Sequence, residues 1–269
     1  MRLLLSALIL SNLAFATASE DSFKQLYGSS IYQLDNNILS NGNYSNRDID
    51  YTNFSLGGDY YFKDETNKYR PFILGSIGYS KYEKGAIEYD SYFGNLGGGV
   101  KIEYSPIFSN SIGLKQAMMY TDDTEIKTYK STVFNQFSYH PKYGDVKPYA
   151  NLTLSYNYIK YDNDIEKTKG ADARLKLGII KDNFFTLKNI PVTAEAYTQV
   201  LLLDRELSKI NNFDALYTLG GAFMWKVGKL FDKSNYLSHI ELKLHGQVSK
   251  SNKDFEGYNV GVGVKLFGF

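Results

Sequence analysis

Cysteine is absent from the 269 residues, which excludes a disulfide scaffold, a cysteine zinc site and a thiol nucleophile. An excess of one charge is also missing. Lys plus Arg number 30 against 29 for Asp plus Glu, so neither a basic nucleic-acid surface nor an acidic solvating tail is present, and no nucleic-acid partner is expected. Tryptophan occurs once and proline only 5 times. Beyond the first 18 residues no apolar run approaches the roughly 20 residues of a membrane-spanning helix. A mature chain of this kind that resides in a membrane must cross it as strands. What the sequence has in quantity is 24 Tyr, 17 Phe and 23 Gly, a combination that favours strands joined by tight turns. A mean hydropathy of -0.34 suits a soluble protein and equally a barrel with a polar interior.

The first 18 residues are set apart from fold reasoning. Arg2 precedes an apolar stretch from Leu3 to Leu10, Ser11 and Asn12 interrupt it, and Ala16-Thr17-Ala18 supplies an A-x-A cleavage signature before the polar Ser19-Glu20-Asp21. This predicts a cleaved signal peptide over 1–18 and one exported domain over 19–269. No cysteine follows the signal, so a lipoprotein anchor is excluded.

A two-residue period runs through the mature chain. Ala150, Leu152, Leu154, Tyr156 and Tyr158 alternate with Asn151, Thr153, Ser155 and Asn157. Ala171, Ala173, Leu175, Leu177 and Ile179 alternate with Asp172, Arg174 and Lys176, and Leu242, Leu244 and Val248 alternate with Glu241, Lys243, His245 and Gln247. Division at turn-like clusters gives about twelve strands, near 23–34, 51–62, 70–82, 89–104, 109–120, 127–140, 148–160, 169–180, 191–203, 213–227, 237–248 and 256–269. Soluble strands usually run about 5–6 residues, whereas a tilted transmembrane strand needs about 9–11. The expected fold is therefore all-β, a transmembrane antiparallel up-and-down barrel of about twelve strands in the cell outer membrane. Tyr60, Phe62, Tyr92, Tyr104, Tyr120, Tyr139, Tyr158, Trp225 and Phe267 fall near segment ends, where interfacial aromatics belong. With a periplasmic N-terminus, the gaps at 35–50, 83–88, 121–126, 161–168, 204–212 and 249–255 face outward. The turns near 63–69, 105–108, 141–147, 181–190 and 228–236 then lie on the periplasmic side.

The chain ends Tyr258-Asn259-Val260-Gly261-Val262-Gly263-Val264-Lys265-Leu266-Phe267-Gly268-Phe269. The aromatics Phe267 and Phe269 resemble the signal through which the outer-membrane assembly machinery recognises its clients, and that machinery is an expected partner alongside outer-membrane lipid. The phase changes here, with Val260, Val262, Val264 and Leu266 even and both Phe odd, so a bulge near Leu266 or departure from the ladder is expected. An exported chain of about twelve strands with this ending, and with Lys147-Pro148-Tyr149-Ala150 and Arg70-Pro71-Phe72-Ile73-Leu74-Gly75, resembles the translocator barrel of autotransporters. Only Ser19 to Ser22 separate the cleavage site from the first expected strand, so the resemblance is to solitary barrels without a passenger. It implies an autotransporter-like, porin-like integral barrel over the mature chain.

Candidate chemistry is sparse, and neither a cofactor nor a metal is expected. Ser138 and His140 share a strand face, as do the Ser and His of outer-membrane phospholipases and lipid A deacylases, which place the pair toward lipid with an orienting partner. In this phase both point to the lumen, so a lipid hydrolase is the lesser alternative. His239, Glu241 and His245 share a face, but alternate strand residues stand about 7 Å apart, too far for metal ligation without help. Asp59, Lys115, Asp172, Arg174, Lys176, Glu195, Glu241 and Lys243 fall on the lumen side, with Arg174 and Lys176 set against Glu195 for cross-strand ion pairs. These charges either brace the interior or line a narrow pore for small solutes. A surface adhesin acting through the 35–50 loop is a further alternative.

Overall fold

The computed structural model describes residues 39–44, 49–62, 68–84, 87–122, 126–162, 167–211, 213–226, 240–253 and 256–266. The signal segment, the strand expected over 23–34, His239, Phe267 and Phe269 lie outside the described residues. Twelve strands follow one another: β1 Leu39–Tyr44, β2 Ile49–Tyr61, β3 Tyr69–Lys84, β4 Ile87–Ser105, β5 Phe108–Thr121 and β6 Ile126–Tyr139. The second half comprises β7 Val146–Tyr161, β8 Lys167–Leu187, β9 Ile190–Leu203, β10 Ala215–Trp225, β11 Ile240–Ser251 and β12 Glu256–Leu266, with one helix, α1 Arg205–Asn211, between β9 and β10. Every strand pairs antiparallel with its sequence neighbours, and β1 closes the barrel against β12 from Leu39 opposite Val262 to Asn43 opposite Tyr258. Among the described residues no helix is long and apolar enough to cross a membrane.

The faces are inverted relative to a soluble barrel. On β8, Arg174 and Lys176 are each 6% exposed, whereas the intervening Leu175 and the following Leu177 are 40% and 44% exposed. The same inversion holds on β7, where Asn151, Thr153 and Asn157 are buried while Leu152, Leu154 and Tyr156 are exposed, and on β11, where Glu241 is buried and Leu244 and Val248 are exposed. An apolar exterior over a polar interior is stable only where lipid covers the outside. Aromatics mark the edges of the belt. Phe62, Tyr69, Tyr104 and Tyr139 are exposed near the end where β3, β5 and β7 begin, and Tyr92, Tyr156, Tyr217 and Tyr258 near the other. Of the remaining expected rim aromatics, Tyr120, Tyr158 and Trp225 are half-buried, and the Tyr60 side chain is not described.

Three expectations are corrected. Leu39–Tyr44 lies in the barrel wall, paired on both sides, and not in an outer loop over 35–50. Its sequence Leu-Ser-Asn-Gly-Asn-Tyr lacks alternation, so the neighbouring ladders and not its own pattern define it as a strand. The turn expected over 181–190 is a strand extension: β8 runs on to Leu187 past a bulge between Lys181 and Phe185, and Lys188 and Asn189, with φ of 50° and 61°, make a two-residue hairpin turn. Phe184 and Phe185 on this extension gather with Phe223 at centroid distances of 6.2 and 5.8 Å. The gap over 204–212 holds α1, capped by Asp204, whose Oδ1 accepts from the Glu206 and Leu207 amides at 3.1 and 3.0 Å. The β11–β12 register is unbroken to Ile240 opposite Leu266, and the phase change expected at Phe267 and Phe269 lies outside the described residues.

Candidate lumen site

Inside the barrel, one cross-strand row runs Tyr149, Gly178, Tyr197, Gly220, Gln247 over β7 to β11. The Tyr149 ring lies across Gly178 and the Tyr197 ring across Gly220, each occupying the place where a Cβ would stand. A flat ring against a glycine carries its hydroxyl one strand further. Tyr149 donates to Glu195 Oε1 at 2.5 Å, and Tyr197 donates to Gln247 Oε1 at 2.7 Å.

Glu195 is the centre of this arrangement. Lys176 Nζ donates to its Oε1 at 3.2 Å, and Lys243 Nζ stands 3.8 Å from its Oε2. The Lys176 ammonium also sits 3.7 Å from the Tyr197 ring centroid and 5.4 Å from that of Tyr149, so aromatic faces replace part of its lost hydration. The opposed charges lie too deep for screening by bulk salt, and their attraction is correspondingly strong. Four strands, β7, β8, β9 and β11, are tied through one carboxylate. Nearer the α1 end, Thr132 donates to Asn157 Oδ1 at 2.9 Å and Asn157 donates to Asp172 Oδ2 at 2.6 Å, which links β6, β7 and β8.

On the opposite wall Phe72, Gly99, Gly113 and Phe134 form another row, and the two rings meet above the glycines at 6.4 Å. Around them the polar side chains are less deeply buried. Lys101, Lys115, Lys130 and Thr132 are half-buried, and Lys101 and Arg70 bracket Glu103 at 2.9 and 3.0 Å.

The expected lumen residues fall as follows. Asp172, Arg174, Lys176, Glu195 and Glu241 are buried inside, Lys243 reaches Glu195, and Lys115 is half-buried beside Gly97 and Thr132. Asp59 pairs with Leu74 across the ladder, and its side chain is not described. Of the two partners predicted for Glu195, Lys176 on the neighbouring strand makes the contact, whereas Arg174 stands opposite Leu201, six residues further along β9, and the second ammonium comes instead from Lys243 two strands away. Sequence reading missed Tyr149, Tyr197, Gln247 and Asn157 as parts of the site. Their signal is a glycine opposite each tyrosine, which becomes visible only once the register is known.

Ser138 is buried in the lumen and accepts from Gln136 Nε2 at 3.3 Å, while His140 Nε2 donates to Asn151 Oδ1 at 3.2 Å and its ring stacks on Tyr149 at 5.7 Å. The pair faces away from lipid. Glu241 and His245 share the inner face of β11, and among the described residues no group of three suited to a metal ion comes together.

This architecture defines an integral outer-membrane β-barrel. No protein-family model matches the chain, and no curated protein matches it in sequence. Solved structures share its fold. The translocator domain of the autotransporter NalP from Neisseria meningitidis is similar at a TM-score of 0.59 and 10% identity, over 97% of this chain and 96% of that one. The beta domain of the Bordetella autotransporter BrkA is similar at 0.53 and 11% identity, over 88% and 98%. LpxR from Salmonella typhimurium is similar at 0.48 and 10% identity, over 89% and 100%. The fold is that of autotransporter translocator barrels.

Proposed function

We propose that the chain forms a narrow, non-catalytic pore for small polar solutes, braced on one side and lined on the other. The observation that carries this reading is the asymmetry of the interior. From β7 to β11 Lys176 and Lys243 are drawn onto the buried Glu195, whereas from β3 to β6 Lys115, Lys130 and Thr132 stay half-exposed beside small residues, as does Lys101 while paired with Glu103. A twelve-strand bore lies between the filled eight-strand barrel and the open sixteen-strand porin. A wall that keeps lysines partly solvated gives the passage a cationic lining, which favours anions over cations of equal size. The lumen orientation of Ser138 and His140 supports the absence of lipid hydrolysis, because an acyl ester in the bilayer cannot reach them. In this reading 1–18 directs export, and Phe267 and Phe269 engage the assembly machinery.

Single-channel conductance of the refolded protein in planar bilayers tests the proposal. Reproducible openings are expected, with anion preference reduced in Lys115→Ala and altered in Arg174→Ala/Lys176→Ala. Silence from protein shown to be folded by its heat-modifiable gel mobility would mean a closed interior and remove the pore.

A further inference from the structure

Within the apolar belt, and among residues whose side chains are described, only β5 and β6 carry amide side chains on the lipid-facing side. Gln116 is exposed there, between the exposed Leu114 and Met118, and its Oε1 accepts from Ser131 at 2.7 Å. Lower on the same face the Asn110 amide donates to Asn135 Oδ1 and to the Gln136 carbonyl at 3.1 Å, so both Asn110 donors are engaged. Gln116 is not satisfied in this way. Among the described residues no group accepts from its Nε2, which retains two donors in a medium where acyl chains offer no acceptor.

Depth makes this costly. Gln116 lies within two residues of the centre of β5, and Ser131 within two of the centre of β6, so the amide faces the middle of the hydrocarbon. Polar groups at that depth signal a partner in the membrane. The surroundings suit close approach, because Gly94 and Gly98 stand on the outer face of β4, opposite Met118 and Leu114.

We propose that this face of β5 and β6 is a dimerisation surface for a second copy of the chain, related by a two-fold axis beside Gln116. A primary amide carries donor and acceptor together, so two-fold symmetry lets each Gln116 donate Nε2–H to the partner's Oε1 with no other residue type required. On the far side of the barrel, the wall of β10 and β11 presents Leu219, Phe223, Leu244 and Val248 and has no outward amide among the described residues.

The absence of cysteine makes the test clean. Met118→Cys introduces the sole thiol beside Gln116, and Val248→Cys places one on the far wall. Both are expressed in full and oxidised in outer-membrane vesicles with copper-phenanthroline, folding being verified by heat-modifiable mobility. A disulfide-linked dimer is expected for Met118→Cys and not for Val248→Cys. Adding Gln116→Leu to Met118→Cys should cut the yield about three- to tenfold, the range that one or two membrane hydrogen bonds supply. Cross-linking no greater than for Val248→Cys, or unchanged by Gln116→Leu, would overturn the proposal. Loss of co-purifying lipopolysaccharide in Gln116→Leu without any cross-link would do the same, assigning the amide to lipid.

Discussion

At the scale of single residues, the barrel depends on glycines that are occupied by someone else's ring. Tyr149 fills the place of a Gly178 side chain and thereby sets its hydroxyl on Glu195. Gly178→Ala therefore forces a methyl group into a packed aromatic. It is expected to cost about 1–3 kcal/mol, the usual range for overpacking. The loss should be strongly non-additive with Tyr149→Ala, because once the ring is gone the methyl has room. Urea unfolding in lipid vesicles of both single variants and the double variant measures this coupling. Equal losses for Gly178→Ala with and without the ring would mean that the glycine is required for its backbone alone. Alternation was enough to place Asp172, Arg174 and Lys176 on one inner face, since polarity every second residue fixes a side. Which tyrosine lies over which glycine depends on the pairing of four ladders, and a linear pattern carries no register information.

At the scale of elements, long alternating strands were legible and short or bulged segments were not. The segments expected at 89–104, 109–120 and 127–140 are β4, β5 and β6 to within two residues, because each sustains its period over many positions. β1 has six residues and no alternation, so it is a strand by virtue of its neighbours. Helix α1 has seven, too few for a 3.6-residue period to declare itself, and it persists through local bonds. Asp204 caps it and also accepts from the Ala171 amide at 2.6 Å, while Leu207 and Phe213 are buried at the barrel mouth. Its far end is clasped to the next loop. Asn252 donates to Asp214 at 3.2 Å and Lys253 at 3.3 Å, and together they hold the Asp214 carboxyl below the ordinary aspartate range. A depressed carboxyl contributes stability that is complete above its unfolded value and is lost as pH falls through the lower folded value. The clasp should thus persist through mildly acidic pH and open only below the ordinary aspartate range. A carbon-13 carboxyl titration is expected to give Asp214 a depressed midpoint that Asn252→Ala moves back up. An ordinary midpoint in the unaltered protein would show that the clasp is not formed in solution.

At the scale of the whole molecule, what distinguishes this barrel from a soluble one is the direction in which its charges point. If lipid covers the outside, the cost of a charge there must depend on depth and not on local packing. Leu154 lies at the middle of β7 and is exposed, whereas Tyr217 is equally outward-facing but stands two residues from the start of β10, at the rim. In a bilayer, Leu154→Arg is expected to cost about 2–4 kcal/mol and Tyr217→Arg about 0–1 beyond the loss of its ring contacts. Reversible unfolding in vesicles of defined thickness separates the two. In bilayers with shorter acyl chains the Leu154→Arg penalty should shrink, because the guanidinium reaches the headgroups sooner. Water around the exterior would instead make both substitutions nearly neutral, as for exposed positions of any soluble protein. The inner face gives the complementary reading. A barrel held mainly by lipid outside still needs its lumen charges balanced, and Glu195 with Lys176 and Lys243 supplies that balance over β8 to β11. The same carboxylate therefore holds β7, β8, β9 and β11 together from within, through Tyr149, Lys176 and Lys243.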